Sequence, residues 1–99
     1  MGCYKDVKSD NLLFPNKHRS MDVSPGYCKK YCEGYKFMSI QSAEFCRCGD
    51  KKPLILYKVE DEQCNLPCVG DSTQICGGSY RQKVYEITKS KSKILFSNL

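Results

Sequence analysis

Cys64-Asn65-Leu66-Pro67-Cys68-Val69-Gly70-Asp71-Ser72-Thr73-Gln74-Ile75-Cys76-Gly77-Gly78 holds three of the chain's eight cysteines within thirteen residues. Pro67, Gly70, Gly77 and Gly78 break any helical or strand period in it. Proline lacks a backbone donor and glycine adds backbone freedom, so the spacing predicts a tight loop held by covalent bonds rather than a regular element.

The rest of the composition makes those bonds necessary. The chain has 99 residues, which suits one domain. Ile, Leu, Val and Phe total 21 and there is no Trp; Ile94, Leu95, Phe96 and Leu99 of that inventory lie in the terminal segment. So small a core leaves folding close to its limit. A bridge closing a loop of 15 to 100 residues contributes roughly 3 to 5 kcal/mol in the chain-entropy model. An even cysteine count in so short a chain predicts four disulfides, and with them an oxidising compartment: a secreted protein or the extracellular part of a cell-surface one.

Zinc is the rival use of the thiols, through Cys28-x3-Cys32 and Cys46-x-Cys48. It fits poorly, because eight thiols need a second metal and His18, the one histidine, is far from any cysteine in sequence. No metal and no cofactor is expected. No apolar run approaches the roughly 20 residues that span a bilayer. No signal peptide is read, and Met1, directly before Gly2-Cys3, reads as an added start on a mature domain. The net charge is +5, with lysines paired at Lys29-Lys30 and Lys51-Lys52 and spread through Lys89, Lys91 and Lys93. It describes a solvated surface first, and attraction to acidic glycans or anionic surfaces second. No recognition motif points to nucleic acid. A monomer is expected.

Along the chain, residues 2–6 alternate and read as a first strand. Residues 9–22 are polar and aperiodic and read as loop, with Leu12, Leu13 and Phe14 dipping into the core. A helix over residues 25–33 is well punctuated: Ser24 is a good N-cap, Pro25 suits the first helical position, and Gly34 can end it left-handed. Strands are expected over 37–41 and 44–48, with a turn between them. Residues 51–63 are ambiguous, with strand propensity at 54–57 and an acidic loop at 60–62. A closing strand covers 81–87. Residues 88–99 read as a flexible basic tail or linker, which places the domain at residues 2–87. Together these elements make a small disulfide-rich α+β fold.

Cys28 and Cys32 are four apart on the helix and point the same way. Cys46 and Cys48 are two apart on a strand and share a face. One face meeting the other gives two bridges. Spacing favours Cys28–Cys46 with Cys32–Cys48 and leaves the crossed pairing open. Cys68 and Cys76 bracket Gly70-Asp71 and are natural partners, which leaves Cys3 with Cys64.

From Gly2 to about Tyr85 the chain resembles WSC domains. Gly2-Cys3-Tyr4-x-Asp6 is similar to that family's opening motif. Cys28-x3-Cys32 followed by Gly34-Tyr35 resembles its helix and exit, and Cys46-x-Cys48-Gly49 its central pair. The most specific match is Cys64-Asn65-x-Pro67-Cys68-x-Gly70-Asp71-x-x-Gln74-x-Cys76-Gly77-Gly78. The chain departs from the family at Asn11-Leu12-Leu13, where Arg-x-Leu is common, and at Phe45, where Glu often precedes the first cysteine of the central pair. The resemblance implies the uncrossed disulfide pattern. It also implies a PAN/apple-like fold with one main helix on a short curved antiparallel sheet and long loops. Its functional implication is a non-catalytic extracellular module credited with carbohydrate binding.

Catalysis is not expected. A cysteine nucleophile needs a free thiolate and a histidine partner. All cysteines look paired, and His18 reads as a surface loop residue. No pair of carboxylates sits in an apolar setting that would raise one pKa, as a glycosidase requires. Binding is the better expectation, since a tyrosine offers a flat face for a sugar ring and a polar tip. Tyr4 and Tyr85 lie in strands and are assigned to the core. Tyr35, Tyr57 and Tyr80 fall at element ends and are the candidate platforms, with Lys58, Asp71 and Arg81 as polar partners. Asp71 also suits capping of its own loop amides. A wall or matrix glycan is the first expected partner. A protein-interaction or adhesion module without sugar affinity, or a secreted basic effector, is the alternative.

Overall fold

A computed structural model describes residues 2–6, 14 and 16–87. The expected tail at 88–99, and Leu12 and Leu13, lie outside the described residues. Two antiparallel sheets and one α-helix make up the described fold, which is mostly sheet. The strands are β1 (Gly2–Lys5), β2 (Asn16–Arg19), β3 (Phe37–Gln41), β4 (Phe45–Gly49), β5 (Pro67–Cys68), β6 (Asp71–Ile75) and β7 (Arg81–Glu86). The main sheet has the order β1-β7-β3-β4-β2, and β5 with β6 forms a separate two-stranded sheet. The helix α1 (Pro25–Tyr31) packs on β3 and β4.

The local signals explain α1. Ser24 accepts a hydrogen bond from the amide of Tyr27 at 3.1 Å and caps the first turn. The helix ends two residues earlier than expected, with Cys32 as its C-cap, and Gly34 takes the left-handed φ of 99° beyond it.

All eight cysteines are paired: Cys3–Cys64, Cys28–Cys46, Cys32–Cys48 and Cys68–Cys76. The crossed alternative between α1 and β4 is thereby excluded. No thiol remains for a metal or for nucleophilic attack. These bonds form much of the core, since Cys28, Cys32, Cys46, Cys48, Cys68 and Cys76 cluster with Val23, Met38 and Ile40 on the helix side of the sheet. On the opposite side, Tyr4, Phe14, Phe37 and Val84 form a smaller cluster with Tyr57 packed against it. Phe14 is fully buried, as expected of it.

Four expectations are corrected. Residues 16–19, read as loop, form edge strand β2, paired with β4 from Asn16↔Cys48 to Arg19↔Phe45. Its largely exposed side chains carry no apolar alternation, so sequence periodicity had nothing to register. His18 is therefore in a strand, half-buried, with Nε2 at 2.8 Å from the Tyr27 hydroxyl and its ring stacked on Tyr31 at 4.5 Å. Residues 55–57, of strand propensity, form a 3-10 turn because they find no partner strand. Lastly, the stretch at 64–78 contains the β5–β6 hairpin with an irregular register at Pro67 and Cys68, rather than loop alone. Among the described residues no helix is long and apolar enough to cross a membrane.

Candidate functional site

β3 is central and buried along its whole length, so its alternate residues line both faces of the sheet. Met38 and Ile40 face the disulfides of α1. Ser39 and Gln41 lie on the opposite face, in register with Arg47 and Phe45 of β4 and with Val84 and Gln82 of β7. Four polar side chains are consequently buried there: Ser39, Gln41, Arg47 and Gln82. Three find partners. Arg47 donates through Nε and Nη2 to the carbonyl of Phe14 at 3.1 and 2.9 Å. Ser39 donates to Gln82 Oε1, and Gln82 Nε2 donates to the carbonyl of Lys5 at 3.5 Å. Gln41 is 5% exposed and its Oε1 has no hydrogen-bond partner among the described residues. Buried polar atoms in native proteins are nearly always paired, so this one marks a place of interest.

Gln41 lines a cleft of about 310 Å³ at the end of the sheet where β3 turns into β4. Ser42 and Phe45 of that turn line it, as do Asp6, Lys17, Ser79 and Tyr80. The Lys17 ammonium lies 4.4 Å from the centre of the Phe45 ring. The amide of Asp6 donates to the carbonyl of Tyr80 at 3.1 Å, tying the end of β1 to the approach to β7. Tyr80 is 76% exposed.

Backbone strain gathers at the same place. Among the described residues the non-glycine positions with positive φ are Ser42 at 50°, Ala43 at 69° and Tyr80 at 53°. Ser42 and Tyr80 line the cleft and Ala43 is the next residue in its turn. A left-handed side chain costs about 1 to 2 kcal/mol, and such positions persist where surrounding structure over-determines them. Here the loop does so: Ala43 N donates to the carbonyl of Cys76 at 2.9 Å, and Val69 N donates to the carbonyl of Ala43 at 3.2 Å.

The six candidate residues fall in separate places. Tyr80 lines the cleft. Arg81 follows it but turns away, with Nε donating to Gln63 Oε1 at 2.7 Å and Nη1 to the Tyr80 carbonyl at 2.9 Å. Tyr57 is half-buried against the smaller cluster, and Lys58 forms a backbone bridge with Tyr4. Tyr35 packs against the helix-side core and its hydroxyl accepts from Asn16 Nδ2. Asp71 serves its own turn: its carboxylate accepts from the Thr73 amide at 3.0 Å, the Thr73 hydroxyl at 2.6 Å and Gln74 Nε2 at 2.7 Å. Those bonds, led by the Thr73 hydroxyl, hold its pKa below the ordinary value. Gln41, Ser42, Phe45, Asp6 and Lys17 were not singled out by sequence. The available signal was a glutamine ending a strand whose other positions are all core.

A comparison with protein families decides the identity: the model for the WSC domain matches residues 1–78. The chain belongs to the WSC domain family. Relatives agree in sequence over the same region. This WSC domain is 35% identical over 94 residues to "Xylosyltransferase oxt" of Drosophila pseudoobscura pseudoobscura, covering 87% of this chain and 10% of that protein. It is 31% identical over 88 residues to a "WSC domain-containing protein" of Arthroderma benhamiae, covering 89% of this chain and 12% of that protein. It is 32% identical over 84 residues to "Kremen protein 1" of Homo sapiens, covering 82% of this chain and 18% of that protein. The chain thus spans between 10% and 18% of the length of these relatives.

Proposed function

We propose that this WSC domain is a non-catalytic carbohydrate-binding module of a secreted protein or of the extracellular part of a cell-surface protein. One observation carries the reading: an exposed tyrosine, Tyr80, lines a polar cleft together with Gln41, whose buried amide oxygen has no partner among the described residues. A pyranose ring needs an aromatic face for its C–H surface and fixed polar groups for its hydroxyls. The four disulfides suit an oxidising compartment. A cleft this open buries little of its ligand, so affinity is on the order of millimolar to tens of micromolar.

The test is a broad array of neutral and acidic glycans probed with the oxidised domain at high concentration. Binding that disappears on Tyr80→Ala supports the reading. An empty array removes it.

A protein-interaction module is the second reading, favoured by one surface. Leu54, Ile55 and Leu56 are exposed in succession, Ile55 and Leu56 at 76%, between Pro53 and Tyr57, which are buried and half-buried. Exposed aliphatics held in a fixed turn suit a protein contact better than a sugar. Leu56→Asp would weaken such a contact and leave glycan binding intact.

A further inference from the structure

Gln41 is unlike the other buried polar groups of its sheet face, because its carbonyl oxygen alone is left without a partner among the described residues. It is also the one of the four that lines the cleft. We infer that Gln41 is the specificity-determining residue of the cleft and selects ligands that donate a hydroxyl there, which is to say neutral sugars over carboxylated or sulfated ones. The inference rests on the carbohydrate reading above and narrows it.

Three features support the choice. First, the unmet need is for a donor, although Gln41 Oε1 as it lies is closed off from the cleft and is reached only when the amide turns. The terminal torsion of glutamine is broad, so the amide can turn to meet a hydroxyl at small cost. An unpartnered buried acceptor gains more from a new donor than a solvated one does, because no water need be given up. Second, the wall also carries a carboxylate, Asp6, held beside Tyr80 by its own backbone bond. An anionic ligand would face that carboxylate and the Gln41 carbonyl together. Third, among the described residues the one cation lining the cleft, Lys17, already lies over the Phe45 ring. A carboxylate or sulfate is best held by paired or bidentate cationic donors, and the described lining supplies one ammonium.

The mildly basic surface points elsewhere. Lys29, Lys30, Lys51 and Lys52 are exposed and none lines the cleft. Overall charge and local chemistry therefore make opposite forecasts for the ligand, and the local groups decide what enters.

The experiment is titration calorimetry of the oxidised domain at two salt concentrations. The probes are neutral hexasaccharides of glucose, xylose and N-acetylglucosamine, with a heparin-derived hexasaccharide as the acidic one. At least one neutral probe should bind, with an affinity that changes less than about twofold between 50 and 500 mM NaCl. Gln41→Met keeps the side-chain length and removes the acceptor; it should weaken that probe about tenfold. Near-UV circular dichroism like that of wild type, with intact mass showing all four disulfides formed, confirms that each variant is folded.

Neutral binding that survives Gln41→Met unchanged would mean that water satisfies the amide, and the inference would fail while the carbohydrate reading stood. Preference for the heparin fragment, abolished by Tyr80→Ala, would overturn it in the same way. If Gln41→Met does not fold, the salt arm decides: neutral-probe affinity that falls steeply with salt contradicts the inference. No binding by any probe removes both this inference and the proposed function.

Discussion

The amide of Ala43 donates to the carbonyl of Cys76 at 2.9 Å, across from the hairpin turn that Ala43 occupies at a φ of 69°. A turn that twists with its strands needs positive φ at its centre, where glycine or asparagine is usual. Serine and alanine hold it here because the disulfide-braced segment reaches over and bonds the turn from outside. Cys76 is linked to Cys68, so one covalent bond stands behind the shape of the cleft wall.

Removing that bond should loosen the cleft more than it destabilises the fold. Cys68 and Cys76 are 8 residues apart and Cys3 and Cys64 are 61 apart. Loop entropy gives about 2.5 kcal/mol for the shorter loop and about 4 kcal/mol for the longer. Denaturant titration of Cys68→Ser/Cys76→Ser and Cys3→Ser/Cys64→Ser should rank them in that order. A larger loss from the shorter loop would show that native packing at 68–76, and not chain entropy, sets the balance.

Gly70→Ala should be costly. A Cβ at Gly70 would lie 2.2 Å from the carbonyl oxygen of Asp22, a backbone atom that cannot swing aside. The Gly70 amide also donates to the carbonyl of Val23 at 2.8 Å, which docks the hairpin onto the approach to α1. A loss of about 2 to 3 kcal/mol is expected. An unchanged melting temperature would mean that this contact relaxes freely.

Much of the framework was legible because its signals are local. Ser24, Pro25 and Gly34 bracket α1, and cysteines at i,i+4 and i,i+2 fix which faces meet. What escaped was set at a distance. Asn16–Arg19 is a strand only because β4 lies beside it, and its polar side chains do not announce that. Tyr80 was visible as a tyrosine at an element end. Gln41 was not, since a glutamine at the end of an apolar strand looks like an exposed terminus until the sheet covers it. Asp71 was legible as either ligand or loop cap, and its bonds to Thr73 and Gln74 occupy it as a cap.

Asp71 gives a pH prediction with a defined sign. Its carboxylate pKa is lowered in the fold by the Thr73 and Gln74 bonds, from an ordinary value of 3.8. The stabilisation is present above that ordinary value and is lost as pH falls through the lower, folded one. The melting temperature should therefore decline slightly below about pH 4, and Asp71→Asn should lessen the decline. Because the group is exposed, the effect is small. An unaltered acid limb in Asp71→Asn would assign the decline to other carboxylates.

Tyr80 separates stability from binding. Its ring is largely exposed and its φ of 53° suits glycine. Tyr80→Gly should cost less than about 0.5 kcal/mol, because relief of left-handed strain offsets the added chain entropy. The same change should abolish glycan binding. A loss of several kcal/mol would show the ring to be a structural element instead of a platform.

The most direct test is amide chemical-shift mapping of the 15N-labelled domain with a neutral hexasaccharide. The account predicts progressive shifts at Gln41, Ser42, Phe45, Ser79 and Tyr80, with Lys51, Lys52 and residues 54–56 unmoved. Shifts centred on residues 54–56, or none at millimolar sugar, would contradict it.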